Sequence, residues 1–258
     1  MTWDPHVYDR FRDERGRPFF ELVDRIPTTD VRSVVDFGCG PGNLTKTLAM
    51  RWPASKVIGV DDDSAMIKAA EQHANETTSF QQADLTDWNH ESPLDVLVSN
   101  AALQWVAGHR DRLPRWMGML RPGGSLAFQV PGNLDDPHHQ AIRALRASKK
   151  WEGVGKLSSL PTRTHDSFRA TEYLETLAPI SHSVDAWETK YVHILQGPDP
   201  ILEWVKGTAL RPVLAALDTE EQRNDFCSDL APSLRDAYPT SSWGTAFPFR
   251  RVFAVAVR

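Results

Sequence analysis

"VVDFGCGPGNLT", residues 34–45, decides the fold. A β-branched apolar run ends in Asp36 and Phe37. Glycines then occupy every second position, at Gly38, Gly40 and Gly42, and "NLTKTLAMRW" carries apolar residues at helical spacing. Strand, glycine turn and helix together open a βαβ unit. Such a turn lets backbone N–H groups approach a ligand, which then lies at the carboxyl edge of a parallel sheet.

The same rhythm continues outward from this stretch. "VRSVVDF", "KVIGVD", "TSFQQAD", "LDVLVSN" and "SLAFQV" read as strands, and "SAMIKAAEQHA" and "RLPRWMGML" read as helices between them; "RPGG" is expected to stop the last helix and turn the chain into the next strand. The order predicts an α/β fold, doubly wound and mostly parallel, with helices on both faces of the sheet. Past residue 131 comes a region of helices and loops, then a strand in "SHSVDAWETKYVHIL", two or more helices, and a closing strand in "RRVFAVAVR". We expect one domain over 1–258, with a core at about 31–131 and a substrate cap drawn from 1–30, 132–180 and 198–245. "EGVGKLSSLPTRTHDS" is the best candidate for a mobile loop.

A net charge of -5 over 258 residues gives no broad basic field for nucleic acid or an anionic membrane, so neither is an expected partner. No run approaches 18 apolar residues, and the first residues mix acids and bases where a signal peptide would be apolar, so a cytosolic location is expected. The two cysteines, Cys39 and Cys227, fit neither a disulfide framework nor a metal site and are expected to be free thiols.

The loop spacing separates ligand classes. A dinucleotide loop is G-x-G-x-x-G, whereas here the third glycine comes one residue early. Asp36 would place a carboxylate beside a pyrophosphate, which is unfavourable; it suits a ligand with an ammonium or sulfonium charge, and S-adenosylmethionine has both. Asp61, directly after the second apolar run, is preferred over Asp62 and Asp63 for the ribose hydroxyls. After the third strand Asp84 could accept from the adenine amino group and Leu85 could offer its N–H, while the carbonyl of Asn100 would lie beneath the methionine ammonium. Taken singly, each feature is also met as a tight turn or a helix cap. Their order along the chain favours a nucleoside site.

"VVDFGCGPGNLT", "VIGVDDDSAMI", "QQADLTDW", "VSNAALQWV" and "LRPGGSLAFQVP" together resemble the class I S-adenosylmethionine-dependent methyltransferases. The resemblance implies a seven-stranded Rossmann-like sheet with a C-terminal helical cap. Nearly from end to end, "WDPHVYDRFRDERGRP", "NAALQWVAGH", "VPGNLDDPHH", "WETKYVH" and "EWVKGTALRP" resemble the bacterial-type trans-aconitate 2-methyltransferases, which implies carboxyl O-methylation of a small tricarboxylic acid. "SSLPTRTHDSFRATEYL" matches only loosely, and "FRRVF" stands where "FPRLF" would be expected, which leaves Arg250 without an assigned role.

A carboxylic acid is already ionised at pH 7, so no general base is required and no catalytic residue is assigned. Alignment of the acceptor can supply roughly 7–11 kcal/mol. The non-reacting carboxylates call for arginine forks, and motif context selects Arg15 and Arg17 in "ERGRP" and Arg211 in "ALRP", each otherwise a surface charge. Gln104 and Trp105 follow strand four and could shape the acceptor pocket. His193 could contact substrate or sit packed in its strand, and Tyr8 and Phe11 could form a lid or ordinary packing. Two other functions stay open: methylation of another small-molecule or acyl-carrier-linked carboxylate, and cofactor binding without catalysis.

Overall fold

The computed structural model describes residues 12–161 and 167–258, with backbone only for residues 12–15. The described residues fall into two compact units: 12–132, 167–189 and 251–258 in the first, and 133–161 and 190–250 in the second.

In the first unit, α1 (Arg12–Asp24) precedes the alternation β1 (Ser33–Phe37), α2 (Thr45–Arg51), β2 (Lys56–Asp61), α3 (Ser64–Ala70), β3 (Thr78–Gln82), β4 (Leu94–Asn100), α4 (His109–Gly118) and β5 (Leu120–Pro131). Two of these strands match their sequence-derived bounds, "KVIGVD" and "LDVLVSN". The helix ends at Gly118, ahead of "RPGG", but "RPGG" is not the expected turn into the next strand, because β5 begins at Leu120 and runs through it. The register with β4 jumps instead from Leu94↔Leu120 to Val96↔Ser125, so the two glycines form an irregularity inside a strand. Gly124 has no room for a side chain there, since a Cβ would lie 2.9 Å from the Leu94 carbonyl oxygen.

Helix α5 (Pro137–Arg146) follows, and α6 (Ala170–Leu177) leads into the long strand β6 (Ser183–Leu195). Helices α7 (Pro200–Lys206), α8 (Arg211–Ala215) and α9 (Glu220–Ala237) come next, then a two-residue strand β7 (Thr240–Ser241) and β8 (Gly244–Val257). Where the sequence promised two or more helices after residue 198 there are three, and the last begins with a reciprocal cap: Thr219 Oγ1 accepts from Gln222 N at 3.2 Å, and Gln222 Oε1 accepts from Thr219 N at 3.3 Å.

The sheet order is β3-β2-β1-β4-β5-β8-β6, with β7 paired to β8. The first five strands are parallel neighbours and β8 enters antiparallel beside β5. This is the doubly wound, mostly parallel sheet the sequence predicts. Strand order reverses between β1 and β4, and the carboxyl edge at such a switch point is where a doubly wound sheet takes its ligand. Period-two alternation sends Val35, Phe37, Leu97 and Phe128 to one face. There Phe37 meets Trp116 of α4 edge-on at 5.7 Å and Phe128 meets Tyr173 of α6 at 4.9 Å. Full burial of each such phenylalanine contributes about 1.5–3 kcal/mol. The opposite face carries Asp36, Val98, Asn100 and Gln129, aligned by the β1–β4–β5 register.

In the second unit, Trp151 of the α5–α6 connection packs edge-on against Phe226 of α9 at 4.9 Å, and Trp204 of α7 packs against Phe247 of β8 at 5.5 Å. Among the described residues no helix is long and apolar enough to cross a membrane.

Candidate functional site

The loop after β1 is held from below by its neighbour strand: Gly38 N and Cys39 N both donate to the Val60 carbonyl, at 2.8 and 3.1 Å. All three glycines adopt positive φ, but for different reasons. A Cβ on Gly38 would lie 2.0 Å from the Ala102 Cβ, and one on Gly42 would lie 2.8 Å from the Phe80 ring. Those two glycines are required by the protein's own packing. Gly40 differs, because its Cβ would meet nothing within 4 Å among the described residues. The open approach to backbone that the sequence suggested for the whole loop therefore belongs to Gly40 alone.

Asp61, at the end of β2, braces this point. One carboxylate oxygen accepts from Gly40 N at 2.9 Å and the other from Asp63 N at 3.0 Å. Asp63 is the N-cap of α3, accepting from Ala65 N and Met66 N, and Asp62 is exposed. The three consecutive acids thus have different surroundings. Burial raises the Asp61 pKa, against the lowering by its two backbone donors.

Asp36 lies under the loop, 2 % exposed, and accepts from Thr45 Oγ1 at 2.7 Å. Burial pushes its pKa up to about 7; the Thr45 hydroxyl opposes the shift and the Asp61 charge adds to it. Burial also raises the Cys39 thiol, which is one of two buried free cysteines with Cys227. Asp84 lies two residues beyond β3, exposed, with its carboxylate accepting from Thr86 N at 2.7 Å, and that bond lowers its pKa. Leu85 beside it is buried.

At the end of β4, Asn100 Oδ1 accepts from Gln129 Nε2 at 2.6 Å. The chain then turns through Ala101, a non-glycine residue at φ +55°, into a short 3-10 turn, Leu103–Trp105. Gln104 is 4 % exposed and its Nε2 donates to the Ala101 carbonyl at 2.6 Å, while its Oε1 has no hydrogen-bond partner among the described residues. A buried acceptor left unmatched costs about 1–3 kcal/mol, and a ligand donor would relieve it. Open space over the Gly40 backbone, acids after β1, β2 and β3, and an orphaned acceptor after β4 together fit a nucleoside ligand with a cationic amino-acid end, and S-adenosylmethionine is such a ligand.

A sequence-family profile described as "Methyltransferase domain" matches residues 34–124. A trans-aconitate 2-methyltransferase of Streptomyces avermitilis is 46 % identical, over 99 % of this chain and 96 % of its own. The protein of that name from Mycolicibacterium gilvum is also 46 % identical, over 98 % of each chain. The chain belongs to the trans-aconitate 2-methyltransferase family. Among solved structures, the YcgJ protein of Bacillus subtilis superposes with a TM-score of 0.61 at 13 % identity, covering 94 % of this chain and 98 % of that one. Geranyl diphosphate C-methyltransferase of Streptomyces coelicolor, solved with S-adenosyl-L-homocysteine, gives 0.54 at 17 %, covering 98 % and 82 %. At these identities the likeness is one of fold. The protein is an S-adenosylmethionine-dependent methyltransferase.

The acceptor-side residues that the family resemblance suggested are scattered in their surroundings. Tyr8 and Phe11 lie outside the described residues, as do the Arg15 side chain and part of the candidate mobile loop. Arg17 forms an i,i+4 ion pair with Glu21 at 2.8 Å with 70 % of its side chain exposed, the setting of a solvated helix surface. Trp105 is 41 % exposed. In the second unit Arg211 begins α8, half-buried, and His193 is buried in β6 with its ring stacked on Trp204 at 5.0 Å.

Three residues escaped the sequence reading of this family member. Thr45 was in plain view, at the end of the glycine stretch, but its partnership with Asp36 spans nine residues across a turn. Gln129 and Arg251 are polar positions inside apolar strands, "SLAFQV" and "RRVFAVAVR", and an uncompensated polar residue in such a run was the available signal.

Proposed function

We propose that the chain transfers the methyl group of S-adenosylmethionine to one carboxylate of trans-aconitate, or of a closely related small tricarboxylic acid, forming its monomethyl ester. The near-complete length over which it matches relatives of that name, at 43–46 % identity, carries this reading.

When bound, the cofactor supplies a methyl group activated on a sulfonium sulfur. The chain's own groups then bind and align. Gly40 offers an open backbone approach, Asp61 is the group we assign to the ribose hydroxyls, Asp84 and Leu85 to the adenine, and Asn100 and Gln104 to the methionine end, where the free Oε1 of Gln104 can accept from an ammonium. Asp36, buried beneath, adds negative charge below the cationic end. The chemistry the bound cofactor would supply is methyl transfer to the acceptor carboxylate oxygen, with the electron pair of the broken carbon–sulfur bond left on sulfur. No proton has to be removed, so the protein's task is orientation and exclusion of water. Trp105 is assigned to the acceptor wall, whereas Arg15 and Arg211 are carried as carboxylate clamps by the family resemblance and not by their placement. Arg17 and His193 are carried as acceptor-side candidates by the same resemblance, beside the Arg17–Glu21 ion pair and the His193–Trp204 stack. A cytosolic setting is part of the same proposal.

Incubating the protein with methyl-labelled cofactor and a panel of mono-, di- and tricarboxylates, followed by mass spectrometry of the esters, tests it. Label is expected on trans-aconitate. Label on no acid in the panel would sink the reading.

A further inference from the structure

Arg251 is an arginine inside the closing strand, only 5 % exposed. Antiparallel pairing sets it opposite Pro131, the last residue of β5, and so at the carboxyl edge of the sheet where the cofactor residues lie. Its neighbour Arg250 is not equivalent, because side chains alternate along a strand and the two arginines point to opposite faces. The register places Arg251 on the same face as Gln129, and Gln129 on the same face as Asn100. The three side chains form a row across β4, β5 and β8. Gln129, fully buried, donates to Asn100 Oδ1 at 2.6 Å and receives Arg251 Nη1 on its Oε1 at 3.4 Å. Two residues further along β8, Phe253 stacks flat on Trp187 of β6 at 4.7 Å, so the row is backed by an apolar wall.

This arrangement has the parts of an anion site. A guanidinium keeps its charge at any physiological pH and presents a planar fork that matches a carboxylate bidentately. An apolar, water-poor surround strengthens such a pair over its value at the surface. The glutamine amide contacts the guanidinium through a long, weak bond and is itself uncharged. The other end of the row is Asn100, the residue assigned to the methionine end of the cofactor, so a carboxylate held at Arg251 stands in fixed relation to the methyl donor.

We propose that Arg251 binds a carboxylate of the acceptor that is not itself methylated, with Gln129 as the positioning residue that aims it. The inference rests on the reading of the chain as a carboxylate methyltransferase. It would make Arg251 the residue that selects polycarboxylates over simple acids.

Two variants test it together. Arg251→Lys keeps the charge and loses the fork; Gln129→Glu keeps Arg251 and sets a carboxylate beside it to compete with the substrate. Thermal melts establish that each variant folds. Gln129→Glu also loses the Nε2 donor to Asn100 Oδ1, so cofactor affinity, measured by calorimetry, should hold only in Arg251→Lys. In both variants we expect KM for the tricarboxylate to rise at least tenfold; in Arg251→Lys kcat should change less, and the low efficiency on a monocarboxylate, which has no second group to clamp, should change less than twofold. Native efficiency on the tricarboxylate in both variants would overturn the proposal, as would equal losses on mono- and tricarboxylates in Arg251→Lys, which mark a structural arginine. If the native protein methylates no acid at all, the proposed function fails first and takes this inference with it; if the native protein methylates and the variants are indifferent, only Arg251 is lost.

Discussion

The glycine loop and the Asn100–Gln129–Arg251 row lie along one edge of one sheet, yet they are built from different material. The loop works through backbone: Gly40 presents open space and its N–H is fixed by Asp61. The row works through side chains whose meeting depends on the register of three strands. A backbone-built site leaves its mark in the chain as glycines and acids at set intervals. A side-chain site made by register leaves only an odd polar residue in an apolar run.

The largest effect that would break this comparison concerns the loop itself. Gly40→Val should abolish measurable S-adenosylmethionine binding while the protein still folds, because the side chain enters space that no described atom fills. Holding a β-branched residue at φ +54° should cost only about 1–2 kcal/mol of stability. Gly38→Ala should behave in the opposite way, costing about 3 kcal/mol or more of stability through overlap with Ala102. Thermal melts beside calorimetry separate the two. A Gly40→Val protein that binds normally would show that all three glycines serve the turn alone.

Asp61 offers a smaller and sharper test. Asp61→Ala removes the carboxylate assigned to the ribose and also the brace on Gly40, so the cofactor should bind about 2 kcal/mol more weakly, close to thirtyfold. Unchanged affinity by calorimetry would remove Asp61 from the site.

What could be read from the sequence follows the same division. The sheet, its order and the acids after β1 to β3 were legible because each is a local pattern: alternation, a glycine turn, an acid at a strand end. The run "RPGG" misled because a turn motif can be absorbed within a strand when the partner strand yields in register, as β4 does between Leu94 and Val96. Arg17 was chosen for its motif and proved to face an i,i+4 glutamate, a pairing visible in "RGRPFFE" had the helix been placed first. Arg251 was given no role, because which of two adjacent strand residues faces the Gln129 side is not written in the local sequence. Only the pairing of β8 with β5 decides it.

The smallest expected effect tests whether Asp36 takes part through charge. In the folded protein its pKa stands near 7, against 3.8 for an ordinary aspartate, chiefly because burial disfavours the anion. The folded state therefore holds a proton that the unfolded chain releases, and between pH 4 and 7 this group lowers stability as the pH rises, the reverse of a salt-bridged carboxylate. A cationic ligand placed above it favours the anion and draws the pKa down. Binding should then release a proton near neutrality, and affinity should climb about tenfold from pH 6 to pH 8 before levelling off, as the ionised fraction goes from about a tenth to nine tenths. Calorimetry in two buffers of different ionisation enthalpy would read the released proton directly. In Asp36→Asn both the proton and the climb should vanish, and the free protein should lose this contribution to its fall in stability as the pH rises. If the native protein binds with equal strength at pH 6 and 8 and releases no proton, Asp36 is a structural partner of Thr45, and the cationic end of the ligand must be balanced by the carbonyl and amide acceptors after β4 instead.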